Sequence, residues 1–303
     1  MNYCEVAIWV QPVFAESLAW HLQGMGVQGV GVSEFPAVGP VPDTVAVRVY
    51  QAESVAELGA FEARIAEGVA VFARHFEGLD YQIMGSVLPS EDWESSWKRH
   101  WHTQCVGERL VIKPSWENFQ PASHQVVIEL DPKQAFGTGT HPTTQLCLQA
   151  LERSVGAYDA PFVHDVGTGS GILGIAALKL GARQVLACDT DPVATGAARE
   201  NAEANQVLDR FVVHTGGIEV LRGEADIVVI NILAEVIVDL AEAIAARVRP
   251  GGLVIASGII RSRQESVERA FQAVGLLPQT CTYQGEWLVL EASKPGPAPS
   301  DVS

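Results

Sequence analysis

Three stretches of this 303-residue chain carry side chains whose types and spacing could do chemistry. In the first, an apolar run ending at Asp165 and Val166 leads into Gly167-Thr168-Gly169-Ser170-Gly171, and a helical pattern follows over 172–180. A strand, a glycine loop and a helix in that order let backbone approach a ligand closely and aim helix N–H groups at it. The dinucleotide fingerprint needs glycine at the sixth place, where this chain has Ile172, so a nicotinamide dinucleotide is the weaker reading. Asp189 ends the next apolar run about twenty positions on, where a carboxylate accepts both hydroxyls of a ribose. Gly167, Gly169, Gly171 and Asp189 thus outline a nucleoside site. Asp191 reads instead as the N-cap of a helix that Pro192 begins.

The second stretch, Asp226-Ile227-Val228-Val229-Ile230-Asn231-Ile232-Leu233-Ala234, is a strand that delivers an asparagine to the same edge. Enzymes that modify amide or ring-amino nitrogens follow the equivalent Asn or Asp with Pro-Pro and an aromatic ring that stacks on the planar group. Ala234 occupies the aromatic place, so the site suits an aliphatic amine better than a flipped base. Asn231 could also merely cap the next helix. The third stretch runs from Leu130 to Thr144 as a polar, glycine-rich loop that opens a helix, and it lacks the Lys-Ser/Thr ending of a P-loop.

The elements that must position these groups alternate. From residue 126 onward, strands at 163–166, 184–189, 210–214, 226–231 and 253–257 have helical patterns between most of them. That predicts right-handed βαβ units and a parallel doubly wound sheet with its ligand at the carboxyl ends of the strands. Runs at 276–282 and 287–291 supply an antiparallel edge hairpin. Before residue 89 the order is strand (3–10), helix (14–25), strand (27–32), strand (44–50), helix (from Ser54, with Val55, Leu58, Phe61, Ile65, Val69 and Phe72 on one face) and strand (81–87). This β-α-β-β-α-β order fits a small ferredoxin-like α+β domain. Between them, 89–125 reads as a linker region with a helix over 92–101, on which Trp93, Trp97 and Trp101 share a face against a core, and a strand over 109–113. The expected organisation is 1–88, 89–125, 126–293 and a disordered tail, 294–303.

A net charge of −16 excludes a protein whose main work is gripping phosphate backbones, so no direct nucleic-acid reading is expected. No apolar run approaches the roughly 18 to 20 residues of a membrane span, and residues 1–10 lack the order of a signal peptide, which predicts a cytoplasmic protein without a membrane partner. The five cysteines are scattered and form no zinc-ligand spacing; they are expected to be reduced and buried, with no metal site.

The stretches LDPKQAFGTGTHPTT, HDVGTGSGILGIAALKLGA, CDTDPVATGAARENAEAN and VVINILAEVIVDLA followed by RPGGLVIASGI resemble, in order and spacing, the bacterial ribosomal protein methyltransferase family PrmA. The resemblance extends over Asp92-Trp93, Lys113 to Trp116 and nearly everything from Leu130 to Glu291. It implies a Rossmann-like domain that binds S-adenosylmethionine, preceded by the ferredoxin-like domain that holds protein L11 of the large ribosomal subunit. The family's cofactor contacts fall on Thr144, Gly167, Asp189 and Asn231, and the loop reading adds Phe136 and Thr138. Thr168 departs from the cysteine often found at its place. Methyl transfer from a sulfonium needs a neutral amine held about 3 Å from the methyl carbon. The Asn231 side-chain oxygen and the carbonyl of Ile232 or Leu233 are expected to orient that amine. His141 either accepts its proton or simply orders the loop. Another protein substrate, or a silent cofactor-binding module, remains the alternative.

Overall fold

In the computed structural model the chain forms two compact units, Met1–His102 and Thr103–Ser303. The structure describes residues 3–23, 25, 27, 29–32, 44–51, 58–74, 76, 78–88, 102–130, 139 and 141–296. The tryptophan helix expected over 92–101, the helix start at Ser54 and Val55, Phe136, Thr138 and residues 297–303 of the expected tail lie outside the described residues, while Lys294, the first residue of that tail, is held by backbone bonds to Gly251 and Gly252 rather than disordered.

The first unit contains β1 (Tyr3–Val10), α1 (Pro12–Gln23), β2 (Gly29–Val32), β3 (Val45–Gln51), α2 (Leu58–Ala73) and β4 (Tyr81–Leu88). Its sheet runs in the order β2-β3-β1-β4 with every pairing antiparallel, the ferredoxin-like arrangement. Strand alternation turns Val6 and Ile8 inward, where they meet Leu18 and Leu22 of α1 and Phe61, Ile65 and Val69 of α2.

The second unit opens with a small sheet of β5 (Gln104–Val106), β6 (Leu110–Lys113) and β7 (Val126–Glu129). The region expected as a linker therefore folds with the second unit from Thr103 onward. Its strands are too short to announce a sheet one by one; β7 pairs in parallel with β6 across an irregular connection. Cys105 alternates outward on the edge strand β5 and is exposed, contrary to expectation, and Cys281 is half-buried; Cys4, Cys147 and Cys188 are buried, and none of the five is in a disulfide.

Then follow α3 (Pro142–Val155), β8 (Phe162–Val166), α4 (Ile172–Leu180), β9 (Gln184–Asp189), α5 (Pro192–Ala204), β10 (Phe211–Thr215), β11 (Ala225–Asn231), α6 (Ala234–Asp239), α7 (Ala241–Arg247), β12 (Val248–Ile260), α8 (Gln264–Ala273), β13 (Leu277–Gln284) and β14 (Trp287–Ser293). The sheet order is β10-β9-β8-β11-β12-β14-β13. The first five strands are parallel, and β14 runs antiparallel to both its neighbours. Order reverses after β8, so the crevice beyond the carboxyl ends of β8 and β11 is the switch point where such sheets take ligands. Helix α4 is buried from Ile172 to Leu178, which explains why its pattern is apolar all round.

The opposite edge is tied by Asp226, which accepts from the Phe162 N–H at 2.7 Å and from Arg249 Nε at 2.5 Å, joining the starts of β8, β11 and β12. Strand β12 is longer than the run at 253–257 suggests. Gly251 and Gly252 continue the ladder through backbone bonds to Lys294, and pairing resumes beyond residue 257 at Ile259 and Ile260.

His164 on β8 is fully buried with its ring edge-on to Phe162, and this burial pushes its pKa down to about 4. Since the unfolded chain protonates this histidine first, the stability present above pH 6.5 is lost as pH falls from 6.5 toward 4. Urea denaturation of His164→Leu against wild type is expected to show the variant gaining about 1.4 kcal/mol per pH unit over that window. A stability difference independent of pH would show that His164 is not buried neutral.

Candidate functional site

Strand β8 ends at Val166, and the chain turns at once through Gly167, Gly169 and Gly171, all with left-handed φ of 69°, 54° and 85°. The N–H groups of Gly167 and Thr168 both donate to the Cys188 carbonyl, at 2.9 and 3.0 Å, which holds the loop against the end of β9. Gly171 is tight for a second reason: a Cβ there would lie 3.1 Å from that of Ala198, so α5 packs directly on the loop.

Asp189, the last residue of β9, accepts from the Gly169 N–H at 2.9 Å through one oxygen and from the Asp191 N–H at 3.0 Å through the other. Each oxygen keeps a further acceptor position, and the carboxylate is half-buried at the strand's end. Asp191 caps α5 through a 2.8 Å bond from the Val193 N–H, as its position before Pro192 predicts.

Asp165 was passed over in the sequence reading. It lies within β8, buried, where one carboxylate oxygen accepts from Thr168 Oγ1 at 2.6 Å and from the Gly174 N–H at 3.0 Å. Burial raises its pKa to about 6, and these two bonds hold the rise in check. The hydroxyl of Thr168 therefore binds the loop to the strand beneath it. The only sequence signal was an acidic residue inside an apolar run.

Asn231 ends β11, and its Nδ2 donates weakly to Thr144 Oγ1 at 3.4 Å. It does not cap α6, whose N-cap is Leu233 without a side-chain bond. Thr144 is buried in the first turn of α3. The next residue, Ile232, is held from two sides: a Cβ on Gly167 would lie 2.5 Å from Ile232 Cγ2, and one on Gly258 would lie 2.0 Å from the Ile232 carbonyl oxygen.

Gly258, with φ of 82°, carries a bulge: pairing of β12 with β14 steps from Ala256↔Leu290 to Ile259↔Leu288, inserting one residue. The buried Ser257 hydroxyl donates to the Leu288 carbonyl at 2.7 Å, replacing ladder bonding that the bulge interrupts. Neither Ser257 nor Gly258 was singled out from sequence, because a bulge is a property of two paired strands.

His141 is the N-cap of α3. Its Nδ1 accepts from the Thr143 N–H at 3.3 Å and lies 2.6 Å from Thr143 Oγ1, which assigns the ring proton to Nε2. The ring packs edge-on to Trp287, and burial lowers its pKa to about 4. His141 therefore caps the first turn of α3 with its Nδ1 engaged by Thr143.

Thus Thr144, Gly167, Gly169, Gly171, Asp189, Asn231, Ile232 and Leu233 gather at the carboxyl ends of β8, β9 and β11. A glycine cradle, in which Gly167 and Gly171 have no room for a side chain, beside a carboxylate at the end of the second strand fits a nucleoside-bearing cofactor. His141 stands one turn before Thr144.

Comparison with known proteins gives a consistent result. The family model described as "Ribosomal protein L11 methyltransferase (PrmA)" matches residues 2–295. A protein of that name from Pelotomaculum thermopropionicum is 38% identical over 307 residues, covering 96% of this chain and 99% of the relative. One from Listeria innocua is 42% identical over 212 residues, 69% of this chain and 67% of the relative. The crystal structure titled as ribosomal protein L11 methylase from Lactobacillus delbrueckii subsp. bulgaricus superposes with a TM-score of 0.59 at 36% identity, covering 64% of this chain and 98% of that one.

Gly258→Ala is expected to cost at least about 3 kcal/mol by chemical denaturation, combining left-handed strain with collision against Ile232. Gly285→Ala has the same sign of φ (61°) but open space around its Cβ, and should cost only about 1 kcal/mol. Equal costs would mean that the approach of Gly258 to Ile232 is not close.

Proposed function

The chain belongs to the ribosomal protein L11 methyltransferase family, and from this we propose that it transfers methyl groups from S-adenosylmethionine to amino groups of ribosomal protein L11, on lysine side chains, the N-terminal amine or both. The observation that carries the reading is the position of Asn231, at the end of β11 beside the glycine cradle and without an aromatic platform after it.

In this reading Asp189 holds the ribose hydroxyls, and the loop from Gly167 to Gly171 leaves space for the cofactor against backbone. Thr144, Phe136 and Thr138 complete the cofactor contacts. When bound, S-adenosylmethionine supplies an electrophilic methyl carbon on a sulfonium. The chain's own task is to hold a neutral amine in line with that carbon, because positioning can contribute several kcal/mol to such a displacement. With Nδ2 of Asn231 engaged by Thr144, its Oδ1 accepts one amine N–H, and the carbonyl of Ile232 or Leu233 accepts another. Two acceptors aim the nitrogen lone pair without acting as bases.

A lysine amine, with an ordinary pKa near 10.4, must shed a proton first; an α-amine near 8 needs less help. His141 is assigned to ordering α3, and the proton leaves to water. The first unit is assigned to holding L11. Acidity of the whole chain, −16, suits a basic substrate and disfavours direct contact with RNA phosphates. Among the described residues no helix is long and apolar enough to cross a membrane, and a ribosomal substrate places the work in the cytoplasm.

Incubation with labelled S-adenosylmethionine and the proteins of the large ribosomal subunit is expected to label L11 alone, with the modified amines identified by mass spectrometry. Asn231→Ala should slow labelling about a hundredfold. Label on a different protein would overturn the substrate, and full activity of Asn231→Ala would overturn the site.

A further inference from the structure

Two buried asparagines that the reading above does not use lie one helical turn apart on α5 and its C-cap. Asn201 and Asn205 are each only 5% exposed. Asn201 Nδ2 donates to the Ser170 carbonyl at 2.8 Å, inside the glycine loop. Asn205 Nδ2 donates to the Asn201 carbonyl at 2.8 Å and to the Glu129 carbonyl at 2.6 Å, while its Oδ1 accepts from the Glu129 N–H at 2.9 Å. The side-chain amide of Asn205 thus pairs with both backbone groups of one residue, as a neighbouring strand would.

Glu129 is the last residue of β7, and its carboxylate meets Lys113 of β6 at 2.8 Å. The Leu130 N–H then bonds the Lys113 carbonyl at 2.9 Å. The chain of bonds therefore runs from the end of the small sheet, through two amides, to the loop whose neighbouring N–H, that of Gly169, binds Asp189. A C-cap position needs no asparagine for its own sake; the bonds to the Ser170 and Asn201 carbonyls are buried, and the two to Glu129 are partly so. The arrangement costs little only while all the partners stay in place.

We propose that Asn201 and Asn205 are positioning residues for the cofactor site, coupling the glycine loop at Ser170 to the end of β7 at Glu129. Order in one is order in the other. Cofactor affinity then depends on Asn205, whose side chain bonds to Asn201 and Glu129, and cofactor binding tightens β7. This inference rests on the cofactor reading given above.

Calorimetric titration with S-adenosylhomocysteine separates the two. Failure of the wild-type protein to bind would overturn the cofactor reading itself. Given wild-type binding, Asn205→Ala is expected to bind about tenfold more weakly. It should raise KM for S-adenosylmethionine by a similar factor with kcat nearly unchanged, as expected when ground and transition states lose the same interaction. Lys294→Ala serves as the control: it removes two bonds to the Ala245 and Val248 carbonyls at the other edge of the sheet, and should lower the melting temperature without changing affinity. Affinity of Asn205→Ala within twofold of wild type would overturn the coupling and leave Asn205 a purely structural group. Should that variant not fold, hydrogen exchange on the wild-type protein decides: the Glu129 amide must exchange more slowly with S-adenosylhomocysteine bound, and an unchanged rate would overturn the proposal.

Discussion

The close seating of Ile232 between two left-handed glycines is the constraint on which the rest of the site depends. Neither Gly167 nor Gly258 has room for a methyl group on the side that faces Ile232. The chain near the end of β12 therefore packs on the backbone of Ile232, and the loop after β8 on its side chain. Asn231, one residue earlier, inherits its place from that packing. The bulge at residues 257–258 makes the approach possible on the β12 side, and the Ser257 hydroxyl repairs the hydrogen bonding that the bulge interrupts. A bulge near a strand end, with a buried hydroxyl beside it, re-aims the chain where the ladder would otherwise run on.

Around this centre hydrogen bonds tie the loop to the strand ends, although one oxygen of the buried Asp165 carboxyl has no partner among the described residues. Asp165 receives a hydroxyl and a helix N–H; Asp189 receives two backbone N–H groups; Asn201 holds the loop carbonyl. Each bond adds only about 1 kcal/mol net, yet removing any one partner leaves a desolvated group behind, so the loop has few alternative conformations. A rigid cradle reduces what binding must spend on ordering the protein. At the far edge, Asp226 draws three strands together, which fixes the sheet without involving the site.

Much of this was legible in the sequence where the determining interactions are local. The helix over 172–180 and the strand over 184–189 match the structure residue for residue, because the glycine loop and Gly181 bound the helix and Asp189 ends an apolar run. Asp191 as a cap follows from Pro192 beside it. What was not legible depends on partners far along the chain: the bulge, the small sheet built from residues 104–129, the outward turn of Cys105, and the asparagine pair, whose sequence spacing resembles any solvated helix face. For His141 the sequence leaves two roles open, and its packing against Trp287 is a contact far along the chain that no local pattern announces.

If the carboxyl ends of β8, β9 and β11 form the cofactor site, a crystal structure of the protein with S-adenosylhomocysteine will show it. Both ribose hydroxyls are expected within about 3 Å of the Asp189 carboxylate, with the chain of the amino acid moiety passing over the loop from Gly167 to Gly171 and the sulfur turned toward Asn231. A ligand seated elsewhere, or one bound here with its ribose away from Asp189, would contradict it.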